Sequence, residues 1–193
     1  MKKGLIILFG FWAFVFWIAN PAIAEELYIH DFDRGAKPNR VGGDFGSWDK
    51  DPADFTQACM ESFDSSVKHG NSGYSLRLDY DVDSPNPAYN GFWSKLEGLN
   101  ASGYSKLVLW VKGDSDKGFT KVFKLELKND KGEVGSYYIT NVTKDWTKIE
   151  IPLEEMAGLT DLSSLSEFVI VFEDRIATVK EGTIYIDDIY FVK

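Results

Sequence analysis

The stretch TIYIDDIYFV, from Thr183 to Val192, decides the fold that we predict for this chain. β-Branched and aromatic residues fill it, as suits a strand on a pleated, half-buried surface, and two adjacent carboxylates, Asp187 and Asp188, interrupt it. Successive side chains of a strand point to opposite faces, so we expect one carboxylate to point inward or sideways and the other to meet water. The inward carboxylate is costly to bury unless a cation such as calcium, with its all-oxygen shell, neutralises it.

A second acidic strand is predicted near the start of the mature chain, in the stretch LYIHDFD from Leu27 to Asp33. If the first and last strands pair, Asp31 or Asp33 could close on one ion together with Asp187. Carboxylates from opposite ends of the chain could then hold one hard cation such as calcium.

The first 24 residues are predicted to be a signal peptide rather than part of the fold. Two lysines precede an uncharged apolar run from Leu5 to Ile18, and Ala22-Ile23-Ala24 has the small-x-small pattern of a cleavage site. The run is shorter than the roughly 20 residues of a membrane span. We expect residues 25–193 to form a single domain of a secreted or periplasmic protein, with no membrane association after cleavage.

Charge and cysteine content limit the possible partners. The formal net charge is −9, and loss of the two lysines of the signal makes it −11, which argues against nucleic acid and favours a neutral or cationic partner such as a neutral sugar. Cys59 is the only cysteine, so no intramolecular disulfide can form, and we interpret it as a small buried hydrophobe. The two histidines have no second nitrogen or sulfur ligand at a zinc-like spacing.

Short strand patterns follow one another along the chain and predict an all-β fold. Ser75–Val82 and Val122–Lys128 alternate apolar and polar residues, as half-buried strands do. Glu167–Glu173 is apolar on both faces, which is typical of a strand covered on both sides. About nine or ten such strands, with turns every eight to twelve residues or so, predict a β-sandwich, and Glu154–Ser164 has room for one or two short helical turns.

The segment before these strands is harder to assign. Glycine, proline and aspartate dominate Arg34–Asp54, which we predict to be a long loop, and Phe55–Ser66 is predicted to be an early strand. Phe45 and Trp48 in the loop either serve a function there or staple the loop to the edge of the sandwich.

With the strands placed, the mature chain resembles the carbohydrate-binding modules of the galactose-binding-like jelly-roll fold. The matching stretches are HDFDRG, GNSGYSLRLDY, YNGFWSKLEGLNASGYSKLVLWVKGD, FKLELKN, DWTKIEIPL, EFVIVFED and GTIYIDDIYF. Complex I intermediate-associated proteins share a similar domain. The resemblance implies a structural calcium held by Asp31 or Asp33, by Asp187 and by backbone carbonyls around Lys68 to Asn71, and a binding platform on the concave sheet. Related modules often carry an aromatic residue where this chain has Arg175.

A sugar-binding face should mix aromatic rings, which stack on C–H faces, with planar amide, carboxylate and guanidinium groups, which pair with hydroxyls. Four predicted strands offer such side chains, and SYYI offers either Tyr137 or Tyr138. The candidate ligand-binding residues are Tyr89, Asn90, Trp93, Lys124, Glu126, Tyr138, Glu173 and Arg175.

Three functions are compatible with these patterns. The first is a non-catalytic module that binds a polysaccharide or another glycan. The second is an envelope assembly or scaffold protein that binds a protein partner through the same fold. The third is a small jelly-roll glycoside hydrolase that uses Glu126 and Glu173, although no motif pairs them and no nucleophile elbow, metal-binding histidine pair or phosphate loop occurs. The sequence indicates no oligomeric state.

Overall fold

Alternation of apolar and polar residues builds most of the strands in the computed structural model, which describes residues 25–193. The predicted signal peptide, residues 1–24, lies outside the described residues. The described part contains no helix that is long and apolar enough to cross a membrane. Its strands are β1 (Glu26–His30), β2 (Phe45–Asp49), β3 (Ala58–Asp64), β4 (Ser75–Asp81), β5 (Tyr89–Leu99), β6 (Lys106–Gly113), β7 (Phe123–Asn129), β8 (Val134–Ile139), β9 (Thr147–Pro152), β10 (Leu165–Glu173) and β11 (Glu181–Val192). A single 3-10 turn follows β9 at Leu153–Glu155.

The strands form two antiparallel sheets that pack face to face. The six-stranded sheet has the order β3-β4-β11-β6-β9, and β1 pairs with the second half of β11, where Glu26 lies opposite Val192 and His30 opposite Ile189. The five-stranded sheet has the order β2-β5-β10-β7-β8. The predicted pairing of the first and last strands and the predicted β-sandwich jelly roll are therefore confirmed.

Aromatic and aliphatic side chains from the inner faces of both sheets fill the space between them. Tyr80 of β4 stacks on Phe172 of β10 with ring centroids 4.2 Å apart, and both side chains are buried. His30 is buried among phenylalanine rings, and burial lowers its pKa to about 3. Cys59 also lies in this core, as the sequence predicted. The two sheets are thus held by one continuous apolar layer.

The predicted long loop Arg34–Asp54 is wrong in part, because it contains β2. This strand, FGSWD, has glycine, serine and aspartate in three of its five positions, which hides the strand pattern. Pairing with β5 forms it, from Phe45 opposite Ser94 to Asp49 opposite Asn90. The strand predicted at Phe55–Ser66 is shorter than expected and corresponds to β3.

The acidic pair of β11 also departs from the prediction. Asp187 is buried and Asp188 is partly buried, but they do not point to opposite faces, because the register shifts after Asp187 and Asp188 has a φ of +47°. This bulge turns both carboxylates toward His69. The backbone N–H of His69 donates to Asp187 Oδ2 at 2.9 Å, and His69 Nδ1 lies 2.7 Å from Asp188 Oδ2.

Candidate functional site

The outer face of the five-stranded sheet carries most of the candidate ligand-binding residues, because strand register places them in adjacent rows. One row crosses all five strands. It consists of Trp48, Gly91, Val171, Lys124 and Tyr138. The next row contains Gly46, Trp93, Val169, Glu126 and Ser136. Each row therefore runs from tryptophan rings on β2 and β5 to charged side chains on β7.

A groove of about 900 Å³ lies along this face. Its floor is apolar, since Val169 and Val171 of β10 point outward. Trp48, Tyr89 and Trp93 form one wall, in which the Trp48 and Tyr89 rings meet edge to face with centroids 5.9 Å apart. We call these three residues the aromatic wall.

The ring of Trp93 packs beside a glycine of the neighbouring strand β2. A Cβ atom on Gly46 of β2 would come within 3.4 Å of the Trp93 indole, so the ring of Trp93 lies directly across this position. Trp93 remains half-buried rather than covered. Tyr89, at the end of the wall, is 41% exposed. A planar apolar surface of this kind can stack on the C–H face of a sugar ring.

Beside the wall, three lysines and three glutamates form ion pairs across β5, β10 and β7, and the Nζ of one of them, Lys95, lies 5.5 Å from the centre of the Trp93 ring. Lys124 Nζ lies 3.0 Å from Glu126 Oε1 and 2.5 Å from Glu173 Oε1. Glu167 accepts from Lys95 at 2.9 Å and from Lys128 at 2.8 Å. We call these six residues the charged ladder.

Ion pairing stabilises the charged forms of two ladder residues, Lys124 and Glu167. Burial lowers the pKa of Lys124, but its contacts with Glu173 and Glu126 outweigh burial, so the net pKa lies above the usual value. Burial raises the pKa of Glu167, yet the hydrogen bonds from Lys128 and Lys95 bring the net value below the usual one. Lys124 and Glu167 are therefore charged groups, paired with opposite charges, that can exchange hydrogen bonds with hydroxyls.

Six of the eight candidate ligand-binding residues line this groove. They are Tyr89, Trp93, Lys124, Glu126, Glu173 and Arg175. Two do not. Asn90 points to the other side of β5, where it is fully buried and its Nδ2 donates to the Asp81 carbonyl at 2.6 Å. Tyr138 shares the outer face but lies on the edge strand β8, outside the groove lining, and is 49% exposed.

The candidate metal ligands lie at the six-stranded sheet, where the two ends of the domain pair. Asp187 is 2% exposed, and burial, together with the nearby charges of Asp188 and Asp33, raises its pKa to about 7 although two backbone N–H groups donate to it. Among the described residues no lysine or arginine forms an ion pair with it. Asp31 is engaged elsewhere, 3.3 Å from the Arg40 guanidinium.

No group of three or more His, Cys, Asp or Glu side chains within residues 25–193 is arranged to hold a metal ion. A calcium shell here would therefore need backbone carbonyls or water beside the carboxylates. Asp187 nevertheless has the chemistry of a ligand, because it is a buried carboxylate without a neutralising cation. The residues at this site therefore suit calcium in the type of donor atom and in charge.

Sequence comparison assigns the chain to a family. The family described as Carbohydrate binding domain 30 matches residues 40–193, which include both the groove and β11. The chain belongs to this family. Among curated proteins, none matches the sequence.

Solved structures similar to this family 30 domain share its fold at low sequence identity. The family 11 carbohydrate-binding module of the cellulosomal cellulase Lic26A-Cel5E of Clostridium thermocellum has a TM-score of 0.63 and 20% identity over 89% of this chain and 96% of that one. A family 11 carbohydrate-binding module from Clostridium thermocellum in complex with a β-1,3-1,4-mixed-linked tetrasaccharide has a TM-score of 0.63 and 19% identity over 89% of this chain and 97% of that one. A family 30 carbohydrate-binding module has a TM-score of 0.60 and 18% identity over 87% of each chain.

Several groove residues of the family 30 domain were not among the candidates. Trp48 was left open because its strand was not recognised. Lys95, Lys128 and Glu167 lie in strands that the sequence did predict, and period two alone puts Lys128 on the face of Lys124. Lys95 and Lys128 converge on the Glu167 carboxylate because of the register between strands, which the sequence does not reveal.

Proposed function

We propose that this protein is a non-catalytic module that binds a glycan chain in the groove of the five-stranded sheet. The observation that carries the proposal is the pairing of an aromatic wall with a charged ladder across one open groove. The wall offers stacking surface, and the ladder offers donors and acceptors whose positions are already fixed, so little side-chain entropy is lost on binding. Membership of a carbohydrate-binding family supports the same assignment.

The charged ladder also argues against hydrolysis. A glycosidase needs one protonated carboxylic acid and one ionised carboxylate beside the scissile bond. Glu126 and Glu173 both contact Lys124, within 3.0 Å, so both carboxylates are ion-paired with one ammonium group. The lysine also stands between the two groups that would have to reach opposite sides of a bond. Binding without turnover is therefore the expected behaviour.

Export and calcium binding complete the proposal. Secretion to the exterior or periplasm is supported by the signal pattern of residues 1–24. Calcium is supported by the burial and charge of Asp187, with Asp33 beside it and the backbone of Lys68 to Asn71 as the source of carbonyl oxygens. When bound, the ion would neutralise these carboxylates and strengthen the link between β1 and β11.

The first ligand to test is mixed-linked β-1,3-1,4-glucan, because a structurally similar module binds a tetrasaccharide of that type. Affinity electrophoresis with mixed-linked glucan, xylan and hydroxyethylcellulose should retard the protein in at least one gel, and the same polymers should show no release of reducing ends. Unchanged mobility in every gel would contradict glycan binding. Release of reducing ends by purified protein would contradict the non-catalytic part alone.

A further inference from the structure

One end of the groove carries positive charge that the charged ladder does not neutralise. Inside the ladder three lysines meet three glutamates, so its formal charges cancel. The remaining charged residues of the groove lining are Lys50, Asp174 and Arg175. They leave an excess of one positive charge at a single end of the groove, in a protein whose overall formal charge is −9.

Lys50 and Arg175, the two cations at this end of the groove, both have N–H donors without a partner in residues 25–193. Lys50 Nζ donates to the Pro87 carbonyl at 3.0 Å and lies 5.2 Å from the centre of the Tyr89 ring, but no carboxylate of the described residues pairs with it. The Arg175 side chain is exposed and forms neither an ion pair nor a hydrogen bond within residues 25–193. The backbone N–H of Ala88 donates to Asp174 Oδ2 at 3.3 Å.

Backbone pairing holds both cations at fixed places beside the aromatic wall. Lys50 follows the last residue of β2, and its N–H donates to the Tyr89 carbonyl at 3.1 Å. Asp174 comes directly after β10, and its N–H donates to the Ala88 carbonyl at 3.0 Å. Arg175 is the next residue. Both side chains therefore start from the strand ends that frame the Tyr89 end of the groove.

We propose that this end of the groove binds a carboxylate carried by the glycan, that is, a uronic acid residue. The inference rests on the proposed function and adds the chemical class of the ligand at one position. An unpaired guanidinium can hold a carboxylate through two parallel N–H bonds, and Lys50 supplies a further donor. Since the protein as a whole is acidic, a polymer charged at every residue is repelled. The ligand is therefore a chain of mostly neutral sugars that carries isolated uronic acids.

The experiment compares one polymer with and without its carboxylates. Glucuronoxylan binds about fivefold more tightly than the same xylan after chemical reduction of its carboxyl groups, as expected for one exposed ion pair. The Lys50→Gln, Arg175→Gln double variant loses this preference, whereas Lys144→Gln with Lys148→Gln, which removes two charges at and just before β9 of the other sheet, keeps it. Because the pair is exposed, about 0.5 M NaCl also abolishes the preference.

Two results would overturn the inference and are distinguishable from failure of the proposed function. Equal binding of the native and carboxyl-reduced xylan would contradict the uronic acid position while leaving the groove a glycan site. A preference for the native polymer that survives in the Lys50 and Arg175 double variant shows that the carboxylate binds elsewhere. If neither charged nor neutral polymers bind, the proposed function is contradicted as well.

Discussion

Replacing Trp93 by alanine tests whether the aromatic wall is the main source of glycan affinity. A buried tryptophan hides about 150–250 Å² of surface, so a sugar that covers one indole face removes roughly 100 Å² from water. At about 25 cal/mol per Å² this is roughly 2.5 kcal/mol. Part of the ring is already covered against Gly46, so we expect a loss of about 2 kcal/mol, or about a thirtyfold higher Kd.

Tyr138→Ala is the matched control for Trp93→Ala. Tyr138 is an exposed aromatic residue on the outer face of the same sheet, but it lies outside the groove lining. Calorimetric titration with the polysaccharide that gives the strongest gel retardation should therefore show a Kd within about twofold of the native value. Trp93→Phe, which keeps a smaller ring, should fall between the two.

Thermal unfolding of each variant separates lost affinity from lost folding. Trp93 packs against β2 on one side, so Trp93→Ala should lower the midpoint modestly while remaining folded at the titration temperature. The reasoning is refuted if Trp93→Ala binds within about twofold of the native protein. It is equally refuted if Tyr138→Ala loses as much affinity as Trp93→Ala.

Three further predictions concern groups whose charge the fold controls. Calcium should raise the unfolding temperature of the native protein and a chelator should lower it, whereas the Asp187→Asn variant should respond to neither. An unchanged midpoint of the native protein in chelator would contradict the proposed calcium site. Glu167→Gln should lower the midpoint of urea unfolding more at pH 7 than at pH 3. Lys128 and Lys95 depress the folded pKa of this carboxyl, so it stabilises the fold fully above its unfolded pKa of about 4.5 and loses that contribution as the pH falls through the lower folded pKa. An equal loss at both pH values would contradict the ion pairing. The buried Cys59 thiol, whose pKa is raised well above its usual value, should resist a thiol reagent until urea unfolds the protein, and rapid labelling of the native state would show that it is accessible.

Local patterning was sufficient to predict the sandwich and most of its strands. Where one face of a strand meets water, as in β4 and β7, alternation determines both the strand and its orientation. The short strand β2 was missed because its residues have weak strand preference and its formation depends on β5, more than 40 residues further along the chain. Pairing partners that are distant in sequence leave no local signal.

The candidate site was predicted in composition but not in arrangement. The interpretation included both Tyr89 and Asn90, although adjacent residues of a strand face opposite sides, and the structure places Asn90 in the interior. Lys124 and Glu126 were placed together correctly because two-residue spacing is sufficient for that inference. The contacts that Glu167 makes with lysines from two neighbouring strands depend on register, which is set by the whole sheet.

The sequence could not choose between the two outer faces, because both carry aromatic residues. On the six-stranded sheet His69, from the segment between β3 and β4, covers Trp110, with ring centroids 3.8 Å apart. Tyr28 and Tyr190, on the paired strands β1 and β11, stack on each other at 4.8 Å. The rings of the five-stranded sheet border a groove instead, and Tyr89 at its end is 41% exposed. Coverage by another part of the chain, rather than aromatic content, therefore decides which face remains available to a glycan.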